Sequence, residues 1–286
     1  MLKSKICLGT ANFGKKYGIK NNKIDFSEIK KIFQFALKQK IYDIDTATSY
    51  DNLNIMNRTK ISLKKFKINT KISLSDIKKY KIKNSEIYFK NILKKSDFKK
   101  FNIISLHNFL DLKSKKGKEL YKDLIKLREK GVTKKIGISL YNINEIDYLV
   151  KRNFVFDVLQ FPVNFFDRRF LNKKIVKYFT KNNIETHARS IFLQGLLTVD
   201  PKKKIPEHVN KWSQYLHKWD LKNPNERDKI TSCISFVMNQ KFINKIVIGI
   251  DNFKHLQYLL SLKKTKFPKK FKNVNKLFYQ PNLWKV

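Results

Sequence analysis

Short β-rich runs alternate with stretches of helical periodicity from one end of the chain to the other. Residues 5 to 9 (KICLG), 41 to 45 (IYDID), 66 to 71 (FKINTK) and 101 to 107 (FNIISLH) are bounded by polar turns and read as strands. Residues 135 to 139 (KIGIS), 155 to 160 (VFDVLQ), 183 to 188 (NIETHA) and 245 to 249 (KIVIG) extend the series to eight. Between the runs, Ile29, Ile32, Phe33, Ala36 and Leu37 recur at spacings of three and four behind Ser27, an N-cap candidate, and mark one apolar stripe. Leu120, Leu124 and Leu127 repeat the pattern before Lys130-Gly131, a helix stop. Asn142, Asn144 and Glu145 open a helix carrying Ile146, Leu149 and Val150.

Strands separated by helices pair in parallel through crossovers, and eight such units close into a (β/α)8 TIM barrel, an α/β fold. A doubly wound sheet is the second choice. It is disfavoured because the turn after the first strand reads GTANFG and has no GxGxxG pattern. The expected organisation is one barrel domain over residues 1 to 286 with an insertion at about 197 to 230, containing Pro201, Pro206, Trp212, Trp219 and Pro224. Within it, His208, Trp212, Tyr215, Leu216 and Trp219 fit a small amphipathic helix, either packed on the barrel or touching substrate.

Composition adds a loud signal of a different kind. The formal net charge is +40, a value that points towards polyanions. Seven of the basic residues are arginine and the rest lysine, spread along the chain with no basic tail. Lysine rises together with Asn, Ile, Phe and Tyr, all of which have AT-rich codons, so drift in base composition accounts for the charge. Zinc-finger spacing, an RNP-like aromatic pattern and a GXXG loop between helices are missing, which leaves no specific nucleic-acid partner and only salt-sensitive adhesion. Cys7 and Cys233 are too few for a disulfide framework and suit a reducing cytoplasm. The N-terminal MLKSKICLGTANFG lacks an apolar signal region, and no run reaches membrane-spanning length.

The chemistry gathers at strand ends. In such a barrel the C-terminal ends of the strands share one mouth. Asp45 ends strand 2, Lys71 strand 3 and His107 strand 4, while Tyr50 lies on the loop leaving strand 2. A phenol with a pKa of ~10 is a poor acid at neutral pH unless its phenolate is stabilised. The Lys71 ammonium supplies that stabilisation, Asp45 holds the lysine charged, and His107 orients a carbonyl oxygen. The set is a proton donor suited to an incoming hydride.

Together these residues resemble the aldo/keto reductases, NAD(P)H-dependent barrel enzymes that reduce aldehydes and ketones. LGTANFG (8 to 14), DTATSY (45 to 50), NTK (69 to 71) and SLHN (105 to 108) fall in the family's order over nearly the whole chain, with Asp45, Tyr50, Lys71 and His107 at its catalytic tetrad positions. The resemblance implies that Gly9, Thr10 and Ala11 meet the nicotinamide ribose, and that Ser139 and Gln160 hold the carboxamide. It places Ser190, Phe192, Gly195 and Leu196 of ARSIFLQGLL (188 to 197) near the pyrophosphate. Asp251 and Asn252 of IVIGIDN (246 to 252) fall at the adenosine end, where the helix starting after Asn252 offers free amides to an anion.

Five positions depart from the family pattern. Asp51 and Asn54 stand where Gly and Glu are usual, and Leu140 stands where many members have a carboxamide-binding Asn. Arg189 replaces an aromatic that commonly stacks on the nicotinamide, and its charge favours the reduced cofactor. Asp251 replaces an Arg or Lys for the 2'-phosphate, with Lys254 nearby. The family grounds imply NADPH, with NADH as the alternative. The loop sequences are similar to a bacterial branch linked to surface-polysaccharide gene clusters, which implies a small, sugar-derived carbonyl substrate. The expected function is carbonyl reduction with a proton from Tyr50. A cofactor-binding scaffold that has lost catalysis and a polyanion-binding protein are the alternatives.

Overall fold

Each strand carries two kinds of residue on its two faces, and that alternation fixes which face turns towards the helices. In the computed structural model, which describes residues 2–13, 18, 24–50, 52–199, 211–262 and 277–279, Leu8, Ile44, Ile68, Ile104, Ile138 and Ile248 are all 0% exposed. They form the apolar layer between strands and helices. The alternate positions, among them Gly9, Asp45, Lys71, Ser139, Gln160 and Arg189, turn inward and line a cavity at the barrel's C-terminal mouth.

Eight parallel strands close the barrel: β1 (Ile6–Gly9), β2 (Asp43–Asp45), β3 (Lys67–Ile72), β4 (Phe101–Leu106), β5 (Thr133–Ser139), β6 (Val158–Pro162), β7 (Glu185–Arg189) and β8 (Lys245–Gly249). β8 returns to pair with β1, so the sheet has no edge. The register puts Gly9 beside Asp45, Asp45 beside Asn69 and Lys71 beside Ser105. At the opposite end of the barrel, Lys245 pairs with Asp43 at 2.6 Å and Lys135 with Glu185 at 2.5 Å. The (β/α)8 barrel expected from the sequence is the fold observed, and each of the eight strands overlaps its anticipated run.

The helices follow from their apolar stripes, since each buried Leu, Ile or Phe contributes roughly 1.5–3 kcal/mol relative to exposure. The helix Phe26–Lys38 buries Ile29, Ile32, Phe33 and Ala36 against the sheet. Its N-cap is Asp25, so Ser27 lies within the first turn and is not the cap the sequence suggested. The first-turn carboxylate of Glu28 is bonded instead to Lys31 and to the backbone N–H of Phe253. The helix Lys115–Glu129 buries Leu120, Leu124 and Leu127 and stops at Lys130, where Gly131 takes φ +71°. In the helix Asn144–Lys151, Ile146 and Leu149 are buried, but Val150 is 48% exposed because it falls on the outer side of the turn.

Between β7 and β8 the chain forms a short 3-10 helix (Leu193–Thr198), the helix Ser213–Asp220 and the helix Glu226–Met238. Trp212, Leu216 and Trp219 are buried, Trp219 donates Nε1–H to Leu197 O at 3.0 Å, and Lys229 pairs with Asp220 at 2.5 Å. The Ser213–Asp220 helix thus packs on the barrel, and its residues do not line the cavity. Asp51, Pro201, Pro206 and His208 lie outside the described residues. Among the described residues no helix is long and apolar enough to cross a membrane.

Candidate active site

Lys71 and Asp45 meet at the base of the mouth with Nζ and Oδ1 2.5 Å apart, and Nζ also donates to Thr46 O at 3.0 Å. They are 3% and 4% exposed, so each buried charge is compensated by the other. Asp45 Oδ2 accepts from Gln160 Nε2 at 2.8 Å. Both carboxylate oxygens are therefore fixed, and so is the ammonium.

Above that pair lie two rings. Tyr50 ends the short 3-10 helix Thr48–Tyr50, and its ring centroid is 5.7 Å from Lys71 Nζ, within range of a cation–π attraction. The His107 ring meets the Tyr50 ring edge-on, with centroids 5.9 Å apart and planes at 82°. His107 is anchored by its backbone N–H on Ile72 O at 2.8 Å. Burial, then the Lys71 ammonium, push its imidazole down to about 3, with Asp45 opposing and Arg189 adding to the effect. At neutral pH the ring is uncharged and serves as a hydrogen-bonding group.

The cavity above measures about 630 Å3. Gly9 closes one wall: a Cβ there would come within 3.3 Å of Ile248 O and Gly249 N, so a side chain would force β1 away from β8. Thr10 and Ala11 continue that wall, and Thr10 Oγ1 donates to Asp45 O at 3.0 Å. Asn52 Nδ2 donates to the Thr10 carbonyl and ties the helix Asn52–Arg58 to the same turn. Ser139 lines the cavity, and its buried Oγ has no hydrogen-bond partner among the described residues. An orphaned hydroxyl of this kind suits the carboxamide of a nicotinamide.

Past β7 the backbone is strained. Ser190, Leu193 and Gln194 take φ of 56°, 49° and 56°, and Gly195 takes 94°. Left-handed conformations at three non-glycine residues cost of order 1–3 kcal/mol each and cluster where a loop is shaped for a ligand. Ser190, Phe192 and Gly195 line the cavity; Leu196, 1% exposed, faces the core and not the cavity. Arg189 lays its guanidinium over the Tyr141 ring, with Cζ 4.1 Å from the centroid.

The far end of the cavity is walled by Asp251, Asn252, Lys254, His255, Arg227 and Tyr258. Asp251 Oδ1 accepts from Asn12 Nδ2 at 3.1 Å. The helix Phe253–Ser261 starts here, but its amides are not all free: Phe253 N donates to Glu28 at 2.9 Å and His255 N to the Asn252 side chain at 2.8 Å. Asn12, Tyr141, Arg227 and Tyr258 were not anticipated. Tyr141 lies two residues beyond Ser139 and Asn12 within GTANFG, so both were within reach of strand alternation and motif reading. Arg227 and Tyr258 come from separate helices, and the Arg227 guanidinium stands 5.2 Å from the Tyr258 ring.

An acid, a phenol, an amine and an imidazole at the C-terminal mouth of a parallel barrel, beside a long cavity, define a barrel oxidoreductase. Comparison with known proteins agrees. The aldo/keto reductase family model matches residues 5–276, and the chain belongs to that family. Aldo-keto reductase AKR11C1 from Bacillus halodurans in its holo form has a similar structure, with TM-score 0.68 and 16% identity over 98% of this chain and 92% of that one. The glycerol dehydrogenase AKR11B4 from Gluconobacter oxydans gives TM-score 0.63 and 18% identity over 91% and 90%. Among proteins with curated functions none matches the sequence significantly. The protein is thus an oxidoreductase of a family that reduces small-molecule carbonyl compounds with NAD(P)H. Among the described residues no group of three or more His, Cys, Asp or Glu could hold a metal ion.

Proposed function

We propose that the protein reduces an aldehyde or ketone to its alcohol with Tyr50 as the proton donor. The buried Asp45–Lys71 pair beneath the Tyr50 ring carries the reading. An ammonium held 5.7 Å from the ring centre favours the phenolate and so makes the phenol a better acid. Asp45 keeps Lys71 in place and charged, and uncharged His107 hydrogen-bonds the carbonyl oxygen and directs it towards Tyr50. A bound nicotinamide cofactor supplies the hydride to the carbonyl carbon. Tyr50 gives its proton to the oxygen, and the low polarity around the buried pair strengthens each of these interactions.

The cofactor's residues follow from the cavity wall. Gly9, Thr10 and Ala11 would meet the nicotinamide ribose, Ser139 the carboxamide, and Ser190, Phe192 and Gly195 the pyrophosphate. NADPH is the preferred form. Asp251 is already engaged by Asn12, while Lys254 and Arg227 on the same wall offer cations to a 2'-phosphate. Markedly tighter NADH binding in a direct titration would reverse that preference. The resemblance of the 188 to 197 loop favours a sugar-derived carbonyl as substrate.

Replacing Tyr50 with Phe tests the mechanism. General acid catalysis contributes about 10²–10⁴-fold, so reduction falls by at least about two orders of magnitude while cofactor still binds. Near-normal turnover by Tyr50→Phe would overturn it.

A further inference from the structure

We propose that the substrate carries an anionic group next to its carbonyl, a carboxylate in the simplest case, and that Arg189 binds it. This rests on the carbonyl-reductase reading above and adds a substrate class to it.

Arg189 is the last residue of β7 and lines the cavity. Its guanidinium is held on three sides by neutral groups: the Tyr141 ring beneath its face at 4.1 Å, Leu140 O accepting from Nη2 at 3.1 Å, and Ser190 Oγ accepting from Nη1 at 3.2 Å. These contacts fix its plane and, among the described residues, leave three of the five N–H donors of a guanidinium unused. Arg128 and Arg169, by contrast, rest on Asp157 and Asp167 at 2.9 and 2.7 Å. Among the described residues no carboxylate lies within ion-pair distance of Arg189. Glu145, whose charge is coupled to Arg189, turns its Oε2 to the Tyr141 N–H at 2.7 Å.

Glu145 acts on Arg189 through its charge but makes no ion pair with it. Lys71 is balanced by Asp45. His107, close enough for Arg189 to help hold it neutral, brings no charge of its own. Among the described residues, the reacting end of the cavity therefore presents one fixed, partly exposed guanidinium with no carboxylate in ion-pair contact, in the planar fork geometry that suits carboxylates. The nicotinamide ring does not supply the opposite charge, because it is neutral when reduced and cationic when oxidised; the pyrophosphate expected at Ser190 is the competing anion, which the NADPH affinity of Arg189→Gln separates from the substrate. A 2-oxo acid or a sugar acid brings the missing charge. Reduction of such a substrate is the family's own reaction: hydride adds to the carbonyl carbon, the C=O π electrons move to oxygen, Tyr50 protonates it, and the nicotinamide is oxidised.

The test uses oxamate, an unreactive 2-oxo acid analogue, and its neutral isostere oxamide. Each is titrated into the NADPH-loaded protein and followed by cofactor fluorescence, while pyruvate and pyruvamide are compared by kcat/KM. A hydrogen bond to a charged group is worth about 1.5–3 kcal/mol, so oxamate binds at least about tenfold more tightly than oxamide. In Arg189→Gln the ratio falls towards one, and Arg189→Lys keeps part of it. Tyr141→Leu, which leaves the charge but removes its support, lowers the ratio as well and serves if Arg189→Gln does not fold. Equal binding of oxamate and oxamide by the unaltered protein would overturn the proposal. So would an oxamate preference that survives in Arg189→Gln while NADPH affinity drops, since Arg189 would then serve the cofactor. Reduction of neutral aldehydes without any oxamate preference defeats this inference and leaves the reductase reading intact. Failure of every carbonyl to oxidise NADPH defeats the reductase reading, and the oxamate titration then decides Arg189 by itself.

Discussion

Gln160 on β6 reaches across the barrel mouth to Asp45 on β2 and donates its side-chain amide to Oδ2 at 2.8 Å. It was expected to hold the nicotinamide carboxamide; in the structure its amide N–H secures the carboxylate that positions Lys71. Replacing Gln160 with Leu leaves Asp45 Oδ2 buried without its donor, loosens Lys71 and weakens stabilisation of the Tyr50 phenolate. Because hydrogen bonds to charged groups are worth about 1.5–3 kcal/mol, kcat falls by about tenfold or more, and the limb of the pH profile reporting Tyr50 moves to higher pH. An unmoved pH profile would mean that Gln160 serves only the cofactor.

Removing the ammonium is more costly for the fold. Lys71→Met strands the Asp45 carboxylate in a site where it is 4% exposed. Breaking one side of a buried pair costs about 3–5 kcal/mol, to be read as a lower urea midpoint with an unchanged slope. The double variant Lys71→Met with Asp45→Leu recovers much of that stability but none of the activity.

The imidazole of His107 sets a pH dependence. Its value falls from the ordinary 6.5 to about 3 in the folded chain. Above 6.5 both folded and unfolded chains hold it neutral. Between 6.5 and 3 only the unfolded chain takes up the proton, so stability declines as the solution is acidified through that window. The His107 ring signals in NMR stay flat from pH 8 to 5, and His107→Gln unfolds at lower pH than the unaltered protein.

Trp219 links the insertion to the strained loop. It is 0% exposed, packs on Phe165 and Phe166, and donates to Leu197 O within the 3-10 helix Leu193–Thr198. Trp219→Ala opens a cavity costing about 3–5 kcal/mol and releases one side of the loop expected to meet the pyrophosphate. Thermal denaturation registers the first effect, and a raised Kd for NADPH registers the second.

Both thiols are inert in the native state. Cys7 and Cys233 are 0% exposed, and burial raises each thiol's pKa. A chromogenic disulfide reagent finds no reactive thiol in the folded protein and both of them in guanidinium.

Much of the barrel was legible in the sequence because strand residues facing the helices must be apolar, as at Ile44, Ile68, Ile104 and Ile248. Asp45, Tyr50, Lys71 and His107 could be grouped for a related reason: in a parallel barrel consecutive strand ends are spatial neighbours. What escaped depends on side chains meeting across the mouth. The Gln160–Asp45 bond spans strands that are not adjacent, and the Arg189–Tyr141 stack joins the end of β7 to the residues after β5. No local pattern encodes either contact. The 155 to 160 run also begins later than its apolar residues suggest. Val155 is 68% exposed, and the Asp157 carboxylate is drawn to Arg128 and to the Ile136 amide before pairing starts at Val158.

Glu28 gives the far end of the cavity a property of its own. Its carboxylate accepts from the first amide of the helix Phe253–Ser261, at the positive pole of that helix. An anion arriving from the cavity side meets a pole already partly neutralised from behind. Its attraction rests more on Lys254 and Arg227, whose side chains can differ between two related barrels, than on the backbone, which cannot. On the cofactor placement proposed above, nucleotide preference at this end is therefore adjustable by point substitution, and the half-buried Glu28, behind the helix, is a remote dial on it.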